Sequence, residues 1–386
     1  MANWLSKLGL TKTPPPTPLP PEEPKHFVRC CRCGHLNTVP VSAKSCPKCS
    51  VDWHEKFLTN KDKSLFVPMI GYTGSGKTLF LYAMMYRLLR MSFLFKGLQM
   101  VPIGGHTHDW RTELEKFAEA ARNGSIELPH NTDAVKEPCM FLMSDLQRWL
   151  TRLLIFRDVP GEAFREYRVK NDTLLDFTRS SPVAWMMIDR SDDRQSKDGR
   201  EQGLTEDNLM LQYVEQIVEK SNLPTNHRVI VVVTKGDTLN PAREVDAPLP
   251  ESVYDYMRDD ELAPYLGRTR CTTPLMTLDE YGIGQYMARL NNVSTTLRDY
   301  VGSTAAGENL INTAEKAKVE LKFTITSSSM ANVKFNQDTG WYTISGGTSN
   351  DPMLSRRALD PLFWALELSS EAGARQPINT HPAPTR

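Results

Sequence analysis

Leu65-Phe66-Val67-Pro68-Met69-Ile70 runs directly into Gly71-Tyr72-Thr73-Gly74-Ser75-Gly76-Lys77-Thr78, and that into the helix-favouring stretch that begins at Leu79. An apolar strand, a G-x-x-x-x-G-K-[ST] loop and a helix, in that order, are what a phosphate-cradling turn requires. The glycines let the backbone curl so that its N–H groups converge on phosphate oxygens, beside the positive end of the following helix. In that arrangement Lys77 reaches the β- and γ-phosphates and the Thr78 hydroxyl ligates Mg²⁺. Gly71 to Thr78 are therefore the candidate nucleotide-binding residues.

The same apolar density returns downstream in LLIFRD (153–158), VAWMMIDR (183–190), RVIVVVT (228–234) and VELKFTIT (319–326). Runs that are apolar at nearly every position suit strands buried on both faces of a parallel sheet. Helical stretches lie between them, at Thr78–Phe95, Asn208–Lys220 and Pro361–Leu368. The order is βαβ repeated, which predicts an α/β, doubly wound, mostly parallel sheet. Between Asp237 and Lys318 no comparable strand is evident, so about 238–316 reads as a helical insertion with three short helices.

A phosphate loop does not choose its base. The strand at 153–157 ends in Asp158-Val159-Pro160-Gly161, which resembles the D-x-x-G of GTPases. There Asp158 holds Mg²⁺ through water and the Gly161 N–H senses the γ-phosphate. The strand at 229–233 ends in Thr234-Lys235-Gly236-Asp237, resembling the guanine-reading [NT]-K-x-D. A carboxylate at Asp237 can accept from guanine N1–H and the exocyclic amine, a pair of donors that adenine lacks, and Lys235 can lay its aliphatic stem over the base. Sites built around such bonds discriminate by about 10⁴ or more. The expected ligands are GTP and GDP.

Five of the seven cysteines lie between Cys30 and Cys49. Cys30-x-x-Cys33 and Cys46-x-x-Cys49 stand twelve residues apart, the pattern of two knuckles that present four thiolates to a tetrahedral Zn²⁺. Cys31 and His35 are alternatives for one ligand. A segment this small needs the metal to hold its fold. From Lys25 to Lys63 there are eight Lys or Arg against three acidic residues, a local charge of +5 in a neutral chain. The module can dock a protein partner or contact nucleic acid. His106, His108 and Asp109 carry metal-capable groups but read as a loop.

The motif order resembles the translation-factor-related (TRAFAC) class of P-loop GTPases. Within it, the cysteine module ahead of the domain, the D-V-P-G-E stretch and the closing LDPLFWAL (359–366) resemble the double-GTPase group of bacterial biological-conflict systems. The resemblance implies a GTP-hydrolysing switch that regulates an associated effector in defence. It places Thr132 as the switch threonine on Mg²⁺ and the γ-phosphate, with Thr107 and Thr112 as rivals. It also places Ser327 and Ser328 in a loop beside the guanine oxygen. Glu162 stands after the switch glycine where Ras-type proteins carry Gln. A carboxylate there can orient the attacking water but is repelled by the γ-phosphate, so slow turnover, accelerated by a partner or by dimerisation, is expected. Arg165 and Arg168 are candidate finger residues. The competing expectation is a nucleotide-binding scaffold with little or no hydrolysis.

Charge and hydropathy bound the rest. The 46 basic and 46 acidic side chains cancel, so no long-range field draws the molecule onto nucleic acid or anionic lipid. No apolar run approaches the roughly 18 to 20 residues of a membrane span. The start lacks a secretory pattern and the cysteines suit a reducing compartment, so a cytoplasmic location is expected. The expected organisation is a short apolar start and Pro-rich linker (1–24), a zinc ribbon (25–60), a nucleotide domain (62–368) and a disordered tail (369–386).

Overall fold

In a computed structural model of the chain, residues 23–72, 74–103, 112, 114–115, 125–129, 138–144, 148–165, 172–190, 205–220, 227–239, 248–260, 276–327, 332–336, 341–345 and 355–375 are described. The N-terminal module is a hairpin of β1 (Lys25–Arg29) and β2 (Leu36–Pro40), paired antiparallel with Phe27 opposite Thr38, followed by α1 (Glu55–Asn60).

The main sheet begins with β3 (Ser64–Gly71), whose C-terminus passes through the phosphate loop into α2 (Lys77–Leu94). Then follow β4 (Gln99–Ile103), β5 (Ser125–Pro129), β6 (Cys139–Ser144) and β7 (Arg152–Pro160). After these come α3 (Glu162–Arg165), α4 (Asp172–Arg179), β8 (Val183–Asp189) and α5 (Glu206–Tyr213), which runs on as a π-helical turn at Val214–Val218. After β9 (Arg228–Thr234) the described residues form α6 (Glu251–Arg258), α7 (Leu278–Tyr281), α8 (Ile283–Gly302) and α9 (Ala305–Lys316). The chain closes with β10 (Glu320–Ile325), β11 (Asn332–Asn336), β12 (Trp341–Ser345) and α10 (Asp360–Arg375).

Seven strands form the sheet in the order β10-β9-β8-β3-β7-β6-β4. From β10 to β7 every pairing is parallel; β6 and β4 add an antiparallel edge. Five parallel strands therefore deliver their carboxyl ends to one edge, where ligands of open α/β sheets bind. β11, β12 and β5 make a separate antiparallel sheet.

The period of two along each strand builds two cores. Trp185, Met187, Ile230 and Val232 point to the face covered by α2 and α10, where Phe80, Met84, Leu88, Phe363 and Leu366 are fully buried. Ala184, Met186, Ile188, Val229, Val231 and Val233 point to the opposite face, against Leu209, Met210 and Tyr213 of α5 and Leu310 of α9. A strand buried on both sides reads as continuously apolar for this reason.

Two sequence expectations change. The described part of the 238–316 stretch is helical, but it holds four helices, and α8 is 20 residues long. Because β9 and β10 are parallel neighbours, this stretch is the crossover that such a pair requires. α8 packs on the sheet, with Leu290 and Leu297 fully buried and the Ser294 hydroxyl accepting the Phe323 N–H at 2.8 Å. The closing helix also runs past Ser369 to Arg375. Its apolar face is anchored by Leu362, Phe363, Ala365 and Leu366, and the following Glu-Ala-Gly-Ala-Arg prolongs a helix already nucleated.

Candidate functional site

The phosphate loop departs from β3 with Gly74 at φ 82° and Gly76 at φ 81°, left-handed conformations that glycine adopts without strain. Lys77 opens α2 and is buried; its Nζ donates to the carbonyls of Gly71 (2.5 Å) and Tyr72 (3.0 Å), curled over the loop it belongs to. The Thr78 hydroxyl donates to Asp158 Oδ2 at 3.2 Å, although the two are 80 residues apart. β3 and β7 pair in register, with Asp158 opposite Met69, and this brings the two carboxyl ends together.

Asp158 is almost wholly buried, and its Oδ1 has no hydrogen bond among the described residues. Burial pushes its carboxyl up, and the Glu162 charge adds to this. The Lys77 ammonium and the Thr78 hydroxyl pull it down. A hydroxyl and a buried carboxylate with an unsatisfied oxygen fit Mg²⁺, a hard cation that takes oxygen ligands. The Gly161 N–H donates to Gly71 O at 2.8 Å. A Cβ on Gly161 would stand 2.8 Å from Tyr72 Cδ1 and 3.1 Å from the Gly71 carbonyl carbon, so only glycine allows the two loops to approach this closely.

At the end of β9, Thr234 is buried and its hydroxyl donates to Ser75 O (2.8 Å) and Ile188 O (3.1 Å), tying the third motif to the phosphate loop. Lys235 adopts φ 54°, and its Nζ pairs with Asp189 Oδ2 at 2.7 Å. Asp237 lies in a short 3₁₀ turn (Gly236–Leu239), and its Oδ1 accepts the Ser327 hydroxyl at 2.6 Å. The Gly236 N–H bonds to Thr326 O at 3.0 Å, so the ends of β9 and β10 hold this pair in place.

The structure thus brings Gly71, Tyr72, Gly74, Ser75, Gly76, Lys77, Thr78, Asp158, Gly161 and Glu162 to one part of the sheet edge. Thr234, Lys235, Asp237 and Ser327 stand next to them. Thr73, Thr132 and Ser328 lie outside the described residues, as do Thr107, Arg168, His106, His108 and Asp109. Thr112 is exposed, and Arg165 is described only as part of α3. Sequence reasoning missed Asp189. Its signal was the same as that of Asp158: an acidic residue at the carboxyl end of an otherwise apolar strand.

In the N-terminal module the sulfurs of Cys30, Cys33, Cys46 and Cys49 all lie within 4.8 Å of one another. Cys30 and Cys49 are 3.6 Å apart, Cys33 and Cys46 3.8 Å. A tetrahedron with bonds of about 2.3 Å has edges of about 3.8 Å, so the donor set fits zinc. The two knuckles match: Gly34 (φ 71°) returns its N–H to Cys30 O, and Ser50 (φ 55°) returns its own to Cys46 O. Hydrogen bonds from Cys31 and Cys33 hold the Cys30 thiol far below its ordinary range, whereas burial pushes Cys49 up to about 11. Thiols that compete for one negative charge are what a divalent cation relieves. Cys31 is buried beside the group but is not one of the four, and neither is His35. Trp53 and Phe57 are core, and His54 caps α1 through Nδ1.

A phosphate loop on a mostly parallel α/β sheet, with acidic residues at neighbouring strand ends, defines a P-loop nucleotide-binding protein. Residues 65–265 match the family model Double-GTPase 2, just over half of the 386-residue chain, and the chain belongs to that family. No curated protein matches. Among solved structures, a crystal structure of sup35 complexed with GDP is similar at 14% identity, with a TM-score of 0.21. The match covers 56% of this chain and 36% of that one, too slight a likeness to bear on function. Among the described residues no helix is long and apolar enough to cross a membrane.

Proposed function

We propose that the protein binds GTP and GDP with Mg²⁺, hydrolyses GTP slowly, and acts as a switch that a protein partner reads. The observation that carries this reading is the bracketing of one sheet edge. Lys77, Thr78 and Asp158 stand on the phosphate side, Asp237 with Ser327 on the base side, and the Thr234 hydroxyl bonds to the Ser75 carbonyl between them. Membership of a double-GTPase family supports the same ligand.

Lys77 is stocked with donors for phosphate oxygens, and Thr78 and Asp158 would hold Mg²⁺, which neutralises charge on the β- and γ-phosphates. The Gly161 N–H, engaged with Gly71 O, is the group whose partner must change when a γ-phosphate arrives; that exchange moves the start of α3 and is the switching step. Thr132 is the proposed second sensor, and Ser328 a further contact to the base. Glu162 would orient the attacking water. The effector, in this reading, belongs to a bacterial defence system, and the zinc ribbon docks it, with nucleic acid as the other candidate for the basic module.

A second reading, a scaffold that binds GTP without turning it over, is favoured by the Glu162 charge that opposes Asp158. Multiple-turnover phosphate release, with and without candidate partners, separates the two. Slow release that a partner accelerates supports the switch; tight GTP binding with no release under any condition contradicts hydrolysis.

A further inference from the structure

The cysteine module is continuous with the nucleotide domain. Val28, Cys30, Cys33, Trp53 and Phe57 share one buried cluster with Phe66, Leu153, Ile155 and Phe177. Gly34, in the first knuckle, lies so close to α4 that a Cβ there would stand 2.5 Å from Phe177 Cα and 2.7 Å from Asp176 O. Lys48, in the second knuckle, makes an ion pair with Asp176. Both knuckles thus grip α4, which lies beyond α3 after the D-x-x-G segment.

Arg157 stands against the same helix. Along β7, Leu153 and Ile155 face the module, whereas Leu154 and Phe156 face the α2 side. Alternation therefore directs Arg157 to the cysteines and Asp158 to the nucleotide. Arg157 is buried, its guanidinium carbon stands 5.6 Å from the Phe177 ring centroid, and its Nη1 has no hydrogen bond among the described residues. Burial lowers its pKa to about 10, and Arg32 acts in the same direction; Cys33, Cys30 and Cys49 raise it. A zinc ion bound by four thiolates keeps a net charge of −2 (+2 and −4). A buried cation that the strand directs towards the module, against the Phe177 ring that shares the cysteines' core, is placed to balance that charge.

We propose that Arg157 is a positioning residue for the nucleotide site: it balances the metal-loaded cysteine cluster and so fixes the strand end that carries Asp158, making zinc occupancy set how firmly nucleotide is held. This rests on nucleotide binding around Lys77, and its test distinguishes the two. The full-length chain is given a zinc-selective chelator under constant excess Mg²⁺, and dissociation of a fluorescent GDP analogue is followed. Zinc affinity is measured in parallel on wild type, Arg157→Met and Arg157→Lys.

In the wild type, zinc removal speeds dissociation on the order of 10-fold, within the usual range of coupling between sites. Arg157→Met releases nucleotide quickly with or without zinc and binds zinc correspondingly more weakly, because coupling is reciprocal. Arg157→Lys restores most of both. Equal acceleration by chelation in wild type and Arg157→Met overturns the proposal, as does a wild-type rate indifferent to zinc, which stands even if Arg157→Met fails to fold. If the zinc-loaded wild type binds no guanine nucleotide, the functional reading falls and takes this inference with it.

Discussion

Asp158 carries two demands that conflict in the nucleotide-free chain. Its carboxyl is raised by burial, so the folded state holds that proton more tightly than the unfolded state does. The stabilising contribution is fully present below the unfolded value of about 3.9 and is lost as pH rises through the raised folded value. At neutral pH Asp158→Asn should therefore raise the melting temperature by a few degrees without nucleotide or Mg²⁺. The same variant should weaken Mg²⁺-dependent nucleotide binding about 10-fold or more, a trade expected where a site is built at the expense of stability. Ser327 makes a milder case. Its hydroxyl holds Asp237 Oδ1, and losing one such bond costs about 1 kcal/mol. Ser327→Ala should thus weaken GTP roughly 5-fold in equilibrium binding and leave ATP unaffected. The gathering of Lys77, Thr78, Asp158 and Asp237 at one sheet edge was legible from sequence because each motif follows the end of an apolar strand. Asp189 offered only its place at a strand end, and Arg157 nothing, because Lys235 and the cysteine module become their neighbours only when β8 and β7 take their places in the sheet.

Among the elements, the five parallel strands were readable because burial keeps most of their positions apolar. The edge strand β4 was not, since Gln99–Ile103 is short and interrupted by Pro102. α8 was hidden for a different reason: it packs one face on β10 and turns Asn291, Asn292 and Thr295 outward, so the polar residues masked its length. The first turn of α10 makes a testable joint. Asp360 accepts the hydroxyls of Tyr256 (2.8 Å) and Tyr286, next to Arg357. Burial pushes its carboxyl up to about 7, against the pull of Arg357. Its stability contribution is present at about pH 4 and lost as pH rises to about 7. Thermal melts across that window should fall more steeply for wild type than for Asp360→Asn; equal slopes would remove Asp360 from the account. Between the phosphate loop and α3, Gly161→Ala places a methyl against Tyr72 and Gly71. It should slow or abolish hydrolysis before it prevents nucleotide binding.

At the scale of the molecule, the described residues build three cores on one sheet: two on its faces, and a third where the cysteine module closes over β3 and β7. Phe57, fully buried in that third core, belongs to a segment that composition alone presents as a separate small domain. Its truncation to Ala should destabilise the molecule by about 3–5 kcal/mol, as one cooperative unfolding transition rather than local loss of the ribbon. Differential scanning calorimetry that resolves two independent transitions would contradict a shared core. The α/β class and the order of motifs were legible from the sequence, whereas the sharing of a core was not. It depends on Gly34 and Lys48 meeting α4, more than 120 residues away in sequence. The central claim is that one sheet edge reads a guanine nucleotide, phosphates at Lys77 and base at Asp237. Its most direct test is competition binding of GTP, ATP and XTP to wild type and Asp237→Asn in the presence of Mg²⁺. The account predicts GTP far above ATP for the wild type and XTP above GTP for the variant. ATP competing as well as GTP, or an order of preference that Asp237→Asn leaves unchanged, would contradict it.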